Sequence, residues 1–289
     1  MPGDASLSPA TSIETHRQFY ARFIVRSAGS CDDRLMAAFS AVPRENYVGP
    51  GPWPVFVGSG YLATVSDDPR LLYQDVLIGL ATDRGINNGQ PTLHARCLDS
   101  VAPRVGETVI HVGAGTGYYT AVLSQLVGAE GRVTAFEIEA DLAERARDNL
   151  RGCSNVDVVA ESATEAALPK CDVLYVNAGA THPPAGWLDS LNVGGRLILP
   201  LTSNDGVGCM LLVTRRSVDT FAASAVMRVA FIPCIGARDE ATSRNLGAAL
   251  EKQALKSVRS LRRGGIPDET VWCEGSGWWL STAEPLEVA

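Results

Sequence analysis

Residues 107–123 read ETVIHVGAGTGYYTAVL, and no other stretch restricts the fold so tightly. An apolar run (Val109, Ile110, Val112) stops at glycines 113, 115 and 117 and gives way to apolar positions at helical spacing. A short apolar strand, a glycine turn and a helix form a unit in which backbone N–H groups can approach a ligand closely. The same rhythm continues downstream. Strands are expected at 108–112, 132–137, 156–160, 172–177, 195–200, 209–214 and 226–231, and helices at 117–127 and 140–150. That spacing predicts βαβ units on a parallel sheet. The fold class is therefore α/β, doubly wound and Rossmann-like, with N-terminal helices expected from the apolar spacing over 12–41.

The chain has 289 residues, 46% of them hydrophobic and 20% charged, which is enough apolar material for a large core. A formal net charge of −7 argues against nucleic acid as the main partner. No apolar run approaches the ~18 residues of a membrane span, so no membrane partner is expected. Residues 1–15 have no apolar signal core and read as a loose leader. The seven cysteines are odd in number and contain no C-x-x-C pair. Reduced thiols and a cytoplasmic location follow as expectations, and no metal site is expected.

Two ligand classes use such a glycine turn. A dinucleotide fold wants G-x-G-x-x-G. Here the third glycine comes one place early, at Gly117, and Tyr118 stands where the dinucleotide pattern has glycine. Glu137, ending the second strand, suits ribose hydroxyls with either ligand, because its carboxylate accepts hydrogen bonds at two oxygens. The early third glycine favours S-adenosyl-L-methionine over NAD.

The resemblance extends well beyond this turn. FIVRSAGSCDDRLMAAFSAVPRENYV, LYQDVLIG, GQPTLHA, the segment from VIHVGAGTGYY to ARDNL, VNAGA, LNVGGRLILPL and FIPCI occur in this order. Over residues ~20–235 the chain resembles the protein-L-isoaspartate O-methyltransferases. That resemblance implies a class I methyltransferase domain over 16–235 and S-adenosyl-L-methionine as cofactor. It also implies a protein or peptide substrate carrying an Asp-type or isoAsp-type carboxylate. The implied cofactor site comprises His94, His111, Gly113, Ala114, Gly115, Gly117, Tyr118, Glu137, Ile138, Glu161 and Ser162. The implied substrate pocket comprises Asn87, Asn88, Gly89 and Gln90. Three positions depart from the family pattern. His111 replaces the usual acid before the turn. Ala160-Glu161-Ser162 replaces a G-D-G. In INNGQP, Gly89 takes the place of a serine, so amide contacts from its neighbours are expected to serve instead.

No catalytic base is expected, since an acceptor carboxylate with a pKa near ~3.9 is already ionised at neutral pH. The tail, 236–289, lies outside the resemblance and is expected to be a helix and a hairpin. Lys252, Lys256, Arg259, Arg262 and Arg263 are expected on one helix, as a solvated face or a substrate-recruiting patch. Trp272, Trp278 and Trp279 suit either packing or a groove wall. Three functions stay open. The first is carboxyl O-methyl transfer, on damaged proteins or on a dedicated natural-product peptide whose aspartyl ester closes to an aspartimide. The others are an NAD-dependent oxidoreductase and a non-catalytic cofactor-binding protein.

Overall fold

The computed structural model describes residues 12–285. Most of the expected leader lies outside the described residues. Ser12 caps the first helix, its Oγ accepting the Thr15 N–H at 3.2 Å. Contacts divide the chain into two compact units between Arg96 and Cys97.

The first unit contains α1 (Ile13–Ser27), α2 (Asp33–Ala41), β1 (Pro54–Phe56), β2 (Tyr61–Ala63), β3 (Gly79–Ala81), β4 (Ile86–Asn87) and the start of α3 (Pro91–Val101). Asp32 starts α2 by accepting the N–H groups of Arg34 and Leu35 at 2.7 and 3.4 Å. The irregular stretch that follows packs around Val48, Trp53, Leu72 and Ile78. Its carbonyls need partners, and the fully buried Arg44 supplies them. The guanidinium donates to Leu72 O (2.6 Å), Gln74 O (2.9 Å) and Val76 O (2.7 Å).

The second unit runs from the end of α3 through β5 (Thr108–Val112), α4 (Tyr118–Val127), β6 (Arg132–Phe136), α5 (Ala140–Asn149), β7 (Val156–Val159), β8 (Cys171–Val176), α6 (Ala185–Ser190), β9 (Leu191–Thr202), β10 (Val207–Arg215) and β11 (Phe221–Ala230). It closes with α7 (Glu240–Lys252), β12 (Ser260–Arg263), β13 (Val271–Gly275) and β14 (Trp278–Ser281). One ten-stranded sheet runs in the order β13-β14-β12-β11-β10-β9-β8-β5-β6-β7. From β7 to β9 the neighbours are parallel; from β9 outward every pair is antiparallel. The expected parallel sheet is thus only half of a mixed one. The cause is connection length. Ser203–Gly206 joins β9 to β10, far too short for a parallel crossover.

Arg196 on β9 fixes the end of α3 against the sheet. Its guanidinium makes a two-pronged bond to Glu107 (2.9 and 2.7 Å) and donates to Val101 O (2.9 Å) and Ala102 O (3.0 Å).

The tail corrects the single basic helix expected from the sequence. Helix α7 stops at Lys252, Gln253 is extended (φ −121, ψ 150), and Lys256 sits in a short 3-10 turn. Arg262 and Arg263 lie on β12, which pairs with β11 and β14. Leu255, Val258 and Leu261 recur every three residues and imitate a helix, but sheet pairing claims this segment. The hairpin forms as β13 and β14, and its tryptophans are packed inside. Trp272 and Trp278 join the main core, and Trp279 lies beneath the Arg262 guanidinium at 4.7 Å. Strand β13 is an edge, and α7 covers it. Gln253 donates to Trp272 O (2.8 Å) and Asn245 to Glu274 O (3.1 Å).

Candidate active site

The chain leaves β5 toward β6 and β7 on one side and returns to β8 on the other. Strand order reverses there, and in open α/β sheets ligands bind in the crevice beyond the strand ends at such a point. Gly113, Gly115 and Gly117 follow β5 with φ of 75°, 56° and 96°, a region that favours glycine. A Cβ on Gly117 would stand 2.7 Å from Leu150 Cδ1, so the turn also needs glycine for close packing. Tyr118, at the head of α4, is buried and meets Tyr119 edge-on at 5.0 Å.

At the neighbouring strand end the buried Glu137 carboxylate turns back to the glycine turn. Oε2 accepts the Gly115 N–H at 2.6 Å and Oε1 accepts the Glu139 N–H at 3.0 Å. Burial raises its pKa, opposed by these N–H groups. Each oxygen keeps a lone pair for a sugar hydroxyl. Beside it Ile138 is 44% exposed and offers an apolar face. One strand further, Glu161 is exposed just past β7, and Ser162 Oγ pairs with Thr164 Oγ1 at 2.8 Å. Three consecutive strand ends therefore present a turn, a carboxylate with an apolar neighbour, and a second acid. A ribose and an adenine fit this set by its donors and acceptors.

His111 is wholly buried at the end of β5, and burial pushes its pKa down to about 3. The ring is neutral. Nδ1 pairs with Thr120 Oγ1 at 2.8 Å, and Nε2 with Asn177 Nδ2 at 2.8 Å. Both ring nitrogens are thus engaged inside the protein. Asn177, quoted above only within VNAGA, was not singled out by sequence reasoning; its place just past β8 at the order reversal is the signal that would have found it.

The expected pocket residues lie in the first unit, Asn87 ending β4 and Asn88, Gly89 and Gln90 forming the loop into α3, with His94 in the first turn of that helix. Their amides serve the loop itself. Asn87 Oδ1 accepts the Gly89 N–H (2.9 Å), Asn88 Oδ1 accepts the Ile78 N–H (2.8 Å), and Gln90 Nε2 donates to Asp75 (2.9 Å). Asp75 also accepts the Thr92 N–H at 2.7 Å, capping α3. Gly89 has φ +73, and a Cβ there would fall 2.1 Å from His94 Nε2. The imidazole occupies the space a side chain at 89 would take.

The family model of protein-L-isoaspartate(D-aspartate) O-methyltransferase matches residues 24–239. The chain belongs to this family. A protein-L-isoaspartate O-methyltransferase of Ignicoccus hospitalis is 30% identical over 57% of this chain and 79% of that relative. A solved protein-L-isoaspartate O-methyltransferase superposes with a TM-score of 0.64 at 24% identity, over 81% of this chain and 68% of its own. A Plasmodium falciparum beta-aspartate methyltransferase, solved with S-adenosyl-L-homocysteine, gives 0.61 at 18% identity over 76% and 98%. The two structures speak for the fold. Family membership makes this chain an S-adenosylmethionine-dependent O-methyltransferase and leaves the NAD reading without support. No described helix is long and apolar enough to cross a membrane.

Proposed function

We propose that this protein methylates the free carboxyl of isoaspartyl residues in proteins or peptides, in the cytoplasm, without nucleic-acid or membrane partners. The observation that carries the proposal is the glycine turn closing on the buried Glu137 carboxylate at the point where strand order reverses. S-adenosylmethionine supplies a methyl group made electrophilic by a sulfonium. Glu137 would accept the cofactor's ribose hydroxyls, Ile138 would lie against its adenine, and Glu161 would accept from the adenine amine. The turn from Gly113 to Gly117 leaves room for the backbone to approach. His111 stays neutral, so no buried cation opposes the sulfonium. The acceptor carboxylate is its own nucleophile, and the protein's task is alignment and exclusion of water. Alignment of this kind is worth roughly 7–11 kcal/mol. Residues 16–235 carry this activity, and α7 with β12, β13 and β14 extends the antiparallel end of the sheet.

A second reading, a dedicated aspartyl peptide as acceptor, is favoured by one observation: His94 fills the side-chain space at Gly89. Labelled methyl transfer to an isoaspartyl peptide and its aspartyl twin separates the two. The proposal expects ester formation on the isoaspartyl form. Preference for the aspartyl form would establish the second reading, and no transfer to either would sink both.

A further inference from the structure

The hydrogen-bond chain through His111 ends on an atom that the protein leaves unpaired. Asn177 Oδ1 is buried and has no hydrogen-bond partner. Leaving a buried acceptor unpaired is costly, so an unpaired one at a binding crevice asks for a donor. The amide presents its nitrogen to the imidazole, Nδ2 lying 2.8 Å from Nε2. A neutral imidazole carries one N–H. With Asn177 Nδ2 donating to Nε2, that N–H is on Nδ1 and donates to Thr120 Oγ1. In this arrangement the amide's N–H side faces the ring and its oxygen is left for something else. The backbone holds the residue in place: Asn177 N–H donates to Val112 O at 2.8 Å, and its Cβ is 3.5 Å from where a Cβ on Gly113 would stand. Asn177 is thus at the carboxyl ends of β5 and β8, where the strand order reverses. It stands across the glycine turn from Glu137, whose carboxylate serves the ribose.

We propose that Asn177, positioned by His111 and Thr120, is the cofactor-binding residue whose Oδ1 accepts a hydrogen bond from the α-ammonium of the cofactor's amino-acid end. An oxygen with only lone pairs to offer selects a donor, and the ammonium is the donor-only group at that end. The inference rests on S-adenosylmethionine as cofactor and adds the residue that reads its amino-acid portion.

The test is calorimetric and needs no turnover. S-adenosyl-L-homocysteine carries the amino-acid end, and 5′-methylthioadenosine lacks it. In the full chain, Asn177→Ala should weaken S-adenosyl-L-homocysteine about tenfold or more, as for a lost hydrogen bond to a charged group, and leave methylthioadenosine within about twofold. Asn177→Asp, which keeps an acceptor, should retain more of the discrimination between the two nucleosides than Asn177→Ala. His111→Leu should lose part of it without altering methylthioadenosine. Equal weakening of both nucleosides by Asn177→Ala, or none of either, would overturn the assignment. If Asn177→Ala does not fold, the Asn177→Asp ratio decides alone, and a ratio as low as that for a nucleoside site blind to the amino acid rejects the role. Failure of the unaltered protein to bind either nucleoside would remove the cofactor reading, and this inference with it.

Discussion

Burial raises the Glu137 carboxyl above its ordinary value, while backbone N–H groups oppose the shift. A raised carboxyl favours the folded state at low pH, and that contribution is lost as the pH rises through the folded pKa. Unfolding free energies should therefore fall more from pH 4 to 7 in the native protein than in Glu137→Gln. In the same variant, S-adenosyl-L-homocysteine binding should weaken by ~1.5–3 kcal/mol, as for hydrogen bonds to a charged group. Unchanged affinity would remove Glu137 from the ribose. His111 works in the opposite direction. Its folded pKa of about 3 lies below the ordinary 6.5, so its contribution is present above 6.5 and is lost as the pH falls toward 3. Acidification below about pH 6.5 should destabilise the native protein more steeply than His111→Gln, and parallel curves would mean that the ring is not the buried neutral group described. At Gly89 a side chain meets both a positive φ and the His94 ring. Gly89→Ser should cost about 1–3 kcal/mol in thermal unfolding, with part recovered in Gly89→Ser/His94→Ala. A neutral single variant would contradict the packing of that ring. The glycine turn and Glu137 were legible because strand, turn and acid stand at fixed spacing. The employment of Asn87, Asn88 and Gln90 inside their loop was not, since amide side chains read alike whether they face a ligand or a backbone.

The β5–α4–β6–α5–β7 run could be read because short apolar strands alternate with segments of helical apolar spacing, with a glycine turn between β5 and α4. Beyond β9 the sequence located β10, β11 and the hairpin but not β12, and it missed their antiparallel direction, which only the short 203–206 connection signals. The tail was misread because a three-residue apolar recurrence fits a helix and a turn-plus-strand equally, and only pairing with β11 decides between them. Elements here are held by a few non-local polar anchors that no local pattern announces. Arg196 and Glu107 are 89 residues apart and largely buried. Removing one partner of such a pair strands the other charge, at a cost of roughly 3–5 kcal/mol. Arg196→Ala should lower the unfolding free energy by about 3 kcal/mol, and Arg196→Met in combination with Glu107→Leu should recover much of it. An equal loss in the single and double variants would show that the pair is not what couples α3 to β9.

At the scale of the whole molecule, the sheet's parallel half supplies the strand ends of the proposed cofactor crevice, and its antiparallel half extends the core through Trp272 and Trp278. Nothing in that arrangement requires a base. An isoaspartyl carboxylate arrives ionised, and the protein is asked only to hold it in line and dry. Chemistry of this kind leaves a particular record in its pH dependence, distinct from that of a hydroxyl, thiol or amine, each of which must first lose a proton. The direct measurement is single-turnover methyl transfer to an isoaspartyl peptide from about pH 5.5 to 9.5, with the product tested for base-labile methyl ester. The rate should be level from about pH 6 upward, a carboxylate with a pKa near ~3.9 being fully ionised there, and mild base should release the methyl group as methanol. A rate that climbs steadily through pH 8 and 9, or a methyl group that survives base, would contradict methylation of a carboxylate.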